Sequence, residues 1–233
     1  MRTFVLEKNT LRITIEDDNA DPNLGFWKDT FPHWESDTFK VFDKLLNPNK
    51  IFIDIGAWIG TTCIYGSKKS KYVYAIEADN KSFTDLCKNI KLNSENIMPI
   101  NRAIFNVDDQ EITFGKNKFL GNSKLNDSTS QIYLNSDVVT ADTYSVKTIS
   151  ISRLLNMYSI LPSDVSLIKV DIEGSEEYIL DQLYQLHSEA SVPLYISFHY
   201  SWWNDKNLDR FAFLSTYQKK QIYSNPFISI LFN

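Results

Sequence analysis

The fold turns on one stretch, Ile51-Phe52-Ile53-Asp54-Ile55-Gly56-Ala57-Trp58-Ile59-Gly60. Residues 51–55 form an apolar run broken only by Asp54, which reads as a strand covered on both faces, since a parallel strand flanked by helices meets no water on either side. Gly56 then permits a sharp turn and a close backbone approach that a Cβ would forbid. Gly60 opens a short helix over 61–69. Outward from this unit, strand and helix alternate. Tyr72–Ile76 is the next strand, Ser82–Leu92 is an amphipathic helix with Phe83, Leu86, Cys87 and Ile90 at helical spacing, and Ile97–Ile104 is a third strand. Beyond a polar stretch near 106–147, Leu167–Ile172 and Pro193–Tyr200 read as buried strands with a helix over Ser175–Leu186 between them. Residues 207–217 look helical, and Phe227–Phe232 is placed to close the sheet. This alternation implies an α/β fold with a mostly parallel, doubly wound sheet.

Upstream, residues 3–15 alternate around Lys8-Asn9-Thr10 as a hairpin does, and a loop carries Trp27, His33 and Trp34. Ser36 is placed as the N-cap of a helix with Phe39, Phe42, Leu45 and Leu46 on one face. The polar stretch near 106–147 is either a set of short antiparallel strands or a lid. At 233 residues the chain suggests one domain, with 1–48 as an N-terminal extension and 49–233 as the core. Lys and Arg number 24 against 29 Asp and Glu, a formal charge of −5, which argues against a nucleic-acid partner held by phosphate contacts. No signal-peptide pattern and no long apolar run is present. The two cysteines, Cys63 and Cys87, are too few for a disulfide framework or a four-cysteine zinc site. The expectation is a cytoplasmic protein with no membrane span.

In doubly wound sheets the ligand lies at the carboxyl ends of the strands where strand order reverses, so the loop 54–60 is where chemistry is expected. The second strand ends in Glu77, placed to accept both hydroxyl hydrogens of a ribose. Asp54 stands where a dinucleotide fingerprint would have glycine. A carboxylate there would repel a diphosphate, which prefers bare amides at a helix N-terminus. It suits instead a ligand with a positive centre, or else it caps the turn. A nicotinamide cofactor remains the alternative, and the Tyr65-x-x-x-Lys69 spacing is attributed to chance.

Three segments, IFIDIGAWIGTT (51–62), VYAIEAD (73–79) and LIKVDIEGSEEYIL (167–180), resemble successive motifs of the FkbM family of S-adenosylmethionine-dependent methyltransferases. Trp34-Glu35, Thr38 and Asn101-Arg102-Ala103-Ile104 resemble flanking parts of the same pattern. Trp58 departs from the usual Asn, and Ala78-Asp79 from a common Pro. The resemblance implies a Rossmann-like class I methyltransferase with a seven-stranded-type sheet, helices on both faces, and O-methylation. It implies that Glu35, Asp54, Gly56, Ala57, Trp58, Gly60, Glu77, Ala78 and Ala103 hold S-adenosylmethionine.

At the chemical end, Lys169, Asp171 and Glu173 alternate along their strand and so share one side, with Lys169 expected to be ion-paired. His199 emerges at the same edge as Asp171. Held by that carboxylate it is a general base near neutral pH, and Asp171, His199 and Glu173 form the catalytic set. The same three could instead hold a divalent ion such as Mg or Mn, which is left open, or His199 could be structural. Tyr200, Trp202 and Trp203 follow directly, and rings there suit the apolar faces of a sugar. The expected acceptor is therefore a sugar or glycan hydroxyl, within or outside a larger glycan-assembly system. A non-sugar hydroxyl and a non-catalytic binding domain are the remaining alternatives.

Overall fold

The computed structural model describes residues 2–116, 130–133, 143–199, 220–224 and 228–232. A hairpin of β1 (Thr3–Lys8) and β2 (Leu11–Glu16) leads through an aromatic loop to α1 (Ser36–Leu45). The core then runs β3 (Ile51–Ile55), α2 (Thr61–Ser67), β4 (Tyr72–Ile76), α3 (Asn80–Asn93) and β5 (Ile97–Ile100). A second sheet interrupts it, built from β6 (Ala103–Ile104), β7 (Glu111–Lys116), β8 (Ser130–Tyr133) and β9 (Tyr144–Ile149). The core resumes with α4 (Ile151–Met157), β10 (Val165–Val170), α5 (Leu180–Ala190), β11 (Leu194–Phe198), β12 (Lys220–Ser224) and β13 (Ile228–Phe232).

The main sheet has the order β12-β13-β11-β10-β3-β4-β5. From β11 to β5 every pairing is parallel, whereas β13 runs antiparallel to both β11 and β12. Each parallel strand sends alternate side chains to opposite faces. Ile53, Ile55, Ile168, Val170, Leu194 and Ile196 pack with α4 and α5 residues on one face. Phe52, Val73, Ala75, Leu167 and Tyr195 pack on the other with α1, α2, α3 and the hairpin. This is the doubly wound α/β arrangement read from the sequence.

Several boundaries differ from the sequence reading, among them that of the helix over Ser175–Leu186, which begins only at Leu180. The strand expected over 97–104 splits, because the Asn101 side chain donates to the carbonyls of Glu77 (3.0 Å) and Ala78 (3.2 Å) and turns the chain into the second sheet. β10 ends at Val170, so Asp171 and Glu173 lie beyond it. Glu35, not Ser36, holds the cap position of α1, and the Ser36 hydroxyl bonds back to His33 O. The closing strand β13 is flanked by β12 rather than forming the edge. Of the polar stretch, the described parts are antiparallel strands. The helix expected over 207–217 lies outside the described residues.

The hairpin is fastened to the aromatic loop by a buried cation. Lys8 Nζ donates to the carbonyls of Phe31 (3.0 Å), Pro32 (3.2 Å) and Trp34 (2.5 Å) and lies 4.6 Å from the Phe39 ring centre. Burial lowers its pKa, and Glu35 opposes that fall. A methionine here would keep the stem but remove this donor from the three carbonyls, of which Phe31 O keeps the Trp34 amide. Lys8→Met is expected to destabilise the fold by about 2–3 kcal/mol in urea unfolding. A loss within ~0.5 kcal/mol would show that the ammonium does not hold the loop.

Candidate active site

Strand order reverses between β3 and β10, and the residues that follow them meet there. Asp54 and Lys169 are register partners across this pair. Asp54 is fully buried. Its Oδ2 accepts from Thr62 Oγ1 at 2.6 Å, and its Oδ1 faces Lys169 Nζ at 3.3 Å as an ion pair rather than an aligned hydrogen bond. Lys169 Nζ also donates to Gly56 O (2.8 Å) and lies 3.8 Å from Asp171 Oδ2. Burial pushes the Asp54 carboxyl up while Lys169 pulls it down. For Lys169, burial favours the neutral amine, but Asp54, Asp171 and Glu35 outweigh it and raise the pKa. The expected pairing of Lys169 is thus present. The positive centre beside Asp54 is Lys169, and among the described residues the Asp54 carboxylate is enclosed.

Gly56 (φ +82°) is required by packing within the chain. A Cβ on it would lie 1.8 Å from Asp171 O, so the backbone that approaches closely is that of the segment after β10. The Gly56 and Ala57 amides both donate to Ile76 O, at 2.9 and 3.0 Å, and the Trp58 amide donates to Glu77 Oε2 at 2.7 Å. All three amides of this turn are therefore engaged inside the protein. Glu77 Oε1 accepts from Asp79 N, also at 2.7 Å. Burial raises Glu77 to about 7 against the pull of the Asp79 and Trp58 amides. An ionised carboxylate has about four acceptor positions, so Glu77 keeps about two for a ligand. Gly60 (φ +101°) abuts Ile64 and Leu86, keeping α2 and α3 close. Ala57 and Ala103 are buried, and Ala78 packs beside the second-sheet core.

The polar end is denser than the sequence suggests. Glu173 (φ +56°) and Gly174 (φ +92°) form a left-handed turn, and this turn, rather than strand alternation, brings Glu173 beside Asp171. His199 is buried, with Nδ1 2.8 Å from Glu176 Oε1, and Nε2 3.4 Å from Glu173 Oε2 and 3.7 Å from Asp171 Oδ1. Burial disfavours a charged imidazole, but Glu176, Glu173 and Asp171 outweigh it and carry His199 to about 10. Three carboxylates around one imidazole thus favour positive charge at this point. Burial raises Glu173 to about 8, opposed by His199. Glu35 (φ +43°) accepts from Thr38 Oγ1 at 3.0 Å. Burial and then Asp171 bring Glu35 to about 7, with Lys169 opposing.

A family model described as the methyltransferase FkbM domain matches residues 54–222. The chain belongs to the FkbM methyltransferase family. No curated protein matches its sequence. Among solved structures, an FkbM methyltransferase from Methylobacillus flagellatus KT is 18% identical, with 80% of this chain and 44% of that one covered at a TM-score of 0.49. The M. jannaschii tRNA m1G37 methyltransferase is 14% identical, with 99% and 56% covered at 0.46. An rRNA methylase from Streptococcus thermophilus is 12% identical, with 84% and 93% covered at 0.49. This FkbM-family chain thus spans about half the length of the first two. The presence of tRNA and rRNA methyltransferases among these neighbours overturns the exclusion of nucleic-acid partners. Formal charge is summed over the whole molecule, whereas binding follows its local distribution, so a net charge of −5 does not exclude such a partner. Among the described residues no helix is long and apolar enough to cross a membrane.

The sequence reading gave no role to Glu176, Thr62 or Thr38, although each lies in or beside a segment that carries the resemblance. Glu176 is the last position of the Lys169-x-Asp171-x-Glu173-Gly174-x-Glu176 pattern, which was the signal available. Of the aromatic residues, Trp27 is core, whereas Trp34 and Trp58 are half-buried and pack edge-on against Phe26, with ring centres 5.7 and 4.9 Å away. Tyr200, Trp202 and Trp203 lie outside the described residues. Lys169→Met strands Asp54 as a buried charge and is expected to cost about 3–5 kcal/mol. The double variant Asp54→Asn/Lys169→Met should recover part of that in urea unfolding, and strictly additive losses would show that the two side chains are not coupled.

Proposed function

We propose that this chain transfers a methyl group from S-adenosylmethionine to a hydroxyl oxygen of a sugar or glycan. The observation that carries the cofactor reading is the turn 56–58 with Glu77. Its amides are spent on Ile76 and Glu77, leaving no bare donor for a pyrophosphate. Glu77 keeps the acceptor capacity that a ribose diol needs. These residues fit an adenosyl group better than a dinucleotide, which is the argument against a nicotinamide oxidoreductase. Glu77 would hold the ribose, Trp58 and Ala78 would flank the nucleoside, and Glu35 would face the methionyl ammonium. When bound, S-adenosylmethionine supplies a methyl carbon on a positively charged sulfur.

The protein's own task is alignment and removal of one proton. The acceptor oxygen forms its bond to the methyl carbon, the carbon–sulfur bond breaks with its electron pair left on sulfur, and the hydroxyl proton passes to the protein. Asp171 would take it. Its side chain is 21% exposed, with Lys169 near one oxygen and His199 near the other to fix its orientation. The half-buried rings of Trp34 and Trp58 support the sugar, since they offer apolar faces at this end of the sheet.

The test is incubation with labelled S-adenosylmethionine and panels of oligosaccharides and RNAs. A methyl ether on an oligosaccharide is expected, and label entering only RNA would overturn the acceptor class. Glu77→Ala is expected to weaken S-adenosylhomocysteine binding at least tenfold in calorimetry, with a thermal melt to show that the variant, which also loses the acceptor of the Trp58 and Asp79 amides, is still folded. Unchanged affinity would remove Glu77 from the cofactor site. Because ribose hydroxyls donate to the charged carboxylate, wild-type affinity should be flat above about pH 8 and fall below pH 7, approaching about tenfold per pH unit as Glu77 protonates. A pH-independent affinity between 5.5 and 8, read by the same calorimetry, would contradict it.

A further inference from the structure

We propose that Asp171, Glu173 and His199 form a binding site for a divalent cation, with Glu176 as the outer carboxylate that aims the imidazole. The inference rests on the methyltransferase reading of this cleft, and it adds to that reading the agent that holds the acceptor oxygen.

The histidine sets the argument. Glu176 Oε1 accepts from the amides of Ile172 (3.3 Å) and Gly174 (3.2 Å) and lies 2.8 Å from His199 Nδ1. An oxygen held by donors in this way is an acceptor, so Nδ1 carries the hydrogen and donates it. When a metal ion takes the place of the second ring proton, the Nε2 lone pair of this tautomer faces Glu173 and Asp171. A hydrogen-bonded carboxylate behind a ligating imidazole is the usual outer arrangement of a metal site.

The spacing at Nε2 points the same way. Its separations of 3.4 Å to Glu173 Oε2 and 3.7 Å to Asp171 Oδ1 exceed the ~2.7–3.2 Å of an N–H···O hydrogen bond. Two ligands each about 2.1 Å from one ion lie ~3.0 Å apart along an octahedral edge and ~3.4 Å along a tetrahedral one. The three ligand atoms lie within 4.8 Å of one another, a spread that small side-chain rotations close around an ion.

A separate observation concerns Glu173. Its Oε2 is fully enclosed and accepts no hydrogen bond among the described residues. A buried carboxylate oxygen without a donor is costly, and a coordinated cation satisfies it directly. Lys169 does not fill this need, because its ammonium lies on the other side of Asp171, nearest Oδ2. One imidazole and two carboxylates suit a hard to borderline divalent ion such as Mn²⁺ or Mg²⁺. The Asp171 and Glu173 side chains are 21% and 19% exposed, so the open coordination positions face the cleft. A hydroxyl oxygen, or a vicinal pair of them, is the ligand those positions would take.

The experiment is calorimetric and EPR titration of the full chain with Mn²⁺, without cofactor or acceptor. One Mn²⁺ per chain with a micromolar dissociation constant is expected. Glu173→Gln, Asp171→Asn and His199→Ala should each weaken it at least tenfold, and Glu176→Gln about tenfold through the misaimed imidazole. A thermal melt with and without Mn²⁺ guards against variants that simply fail to fold: wild type should be stabilised by the ion and folded His199→Ala should not. Glu77→Ala should bind Mn²⁺ normally while losing S-adenosylhomocysteine, which separates this site from the cofactor reading. Absence of binding at millimolar Mn²⁺, or binding indifferent to both Glu173→Gln and His199→Ala, would overturn the proposal and leave the methyltransferase assignment standing.

Discussion

The buried ion pair between Asp54 and Lys169 sits where the two halves of the sheet join, and the rest of the site is arranged around it. Two opposite charges in a dry core repay their desolvation only in good geometry with their remaining bonding positions filled. Thr62 fills one position on Asp54, and Gly56 O one on Lys169. The pair therefore ties α2, β3, β10 and the turn at residue 56 to one another. It also sets the spacing between the end of β3 and the segment after β10, which Gly56 makes as small as backbone contact allows.

Several consequences follow along that edge. Backbone in the left-handed region is concentrated there, at Glu35, Gly56, Trp58, Gly60, Glu173 and Gly174. Non-glycine residues adopt that region at some cost, which the surrounding packing must sustain. At Trp58 the strained turn lets one amide reach Glu77, while the ring joins Phe26 and Trp34 in an aromatic layer. Lys8 pins that layer from the hairpin, so the N-terminal extension shapes one wall of the cleft.

The electrostatics are lopsided. Glu35, Asp54, Asp171, Glu173 and Glu176 converge on Lys169 and His199, and burial pushes several of these carboxyls upward. Such an excess of acceptors favours positively charged or proton-donating ligands and disfavours a phosphate. The same surroundings raise the pKa of His199 against the effect of its burial.

What the sequence determined by itself was the alternation of strands and helices, the turn at Gly56, the acidic end of the second strand, and the acidic pattern 169–176. Each of these is a local pattern, set by side-chain periodicity or by residue types that only a turn or a charged edge tolerates. The partners of those residues were decided by tertiary structure. Asp54 read as a ligand contact because nothing near it in sequence announces Lys169, 115 positions away and its neighbour only once β10 inserts beside β3. Glu173 read as an alternating strand residue because the end of β10 depends on where its neighbours stop pairing. The carboxylates grouped around His199 come from a separate turn, and that grouping in space is not written along a chain.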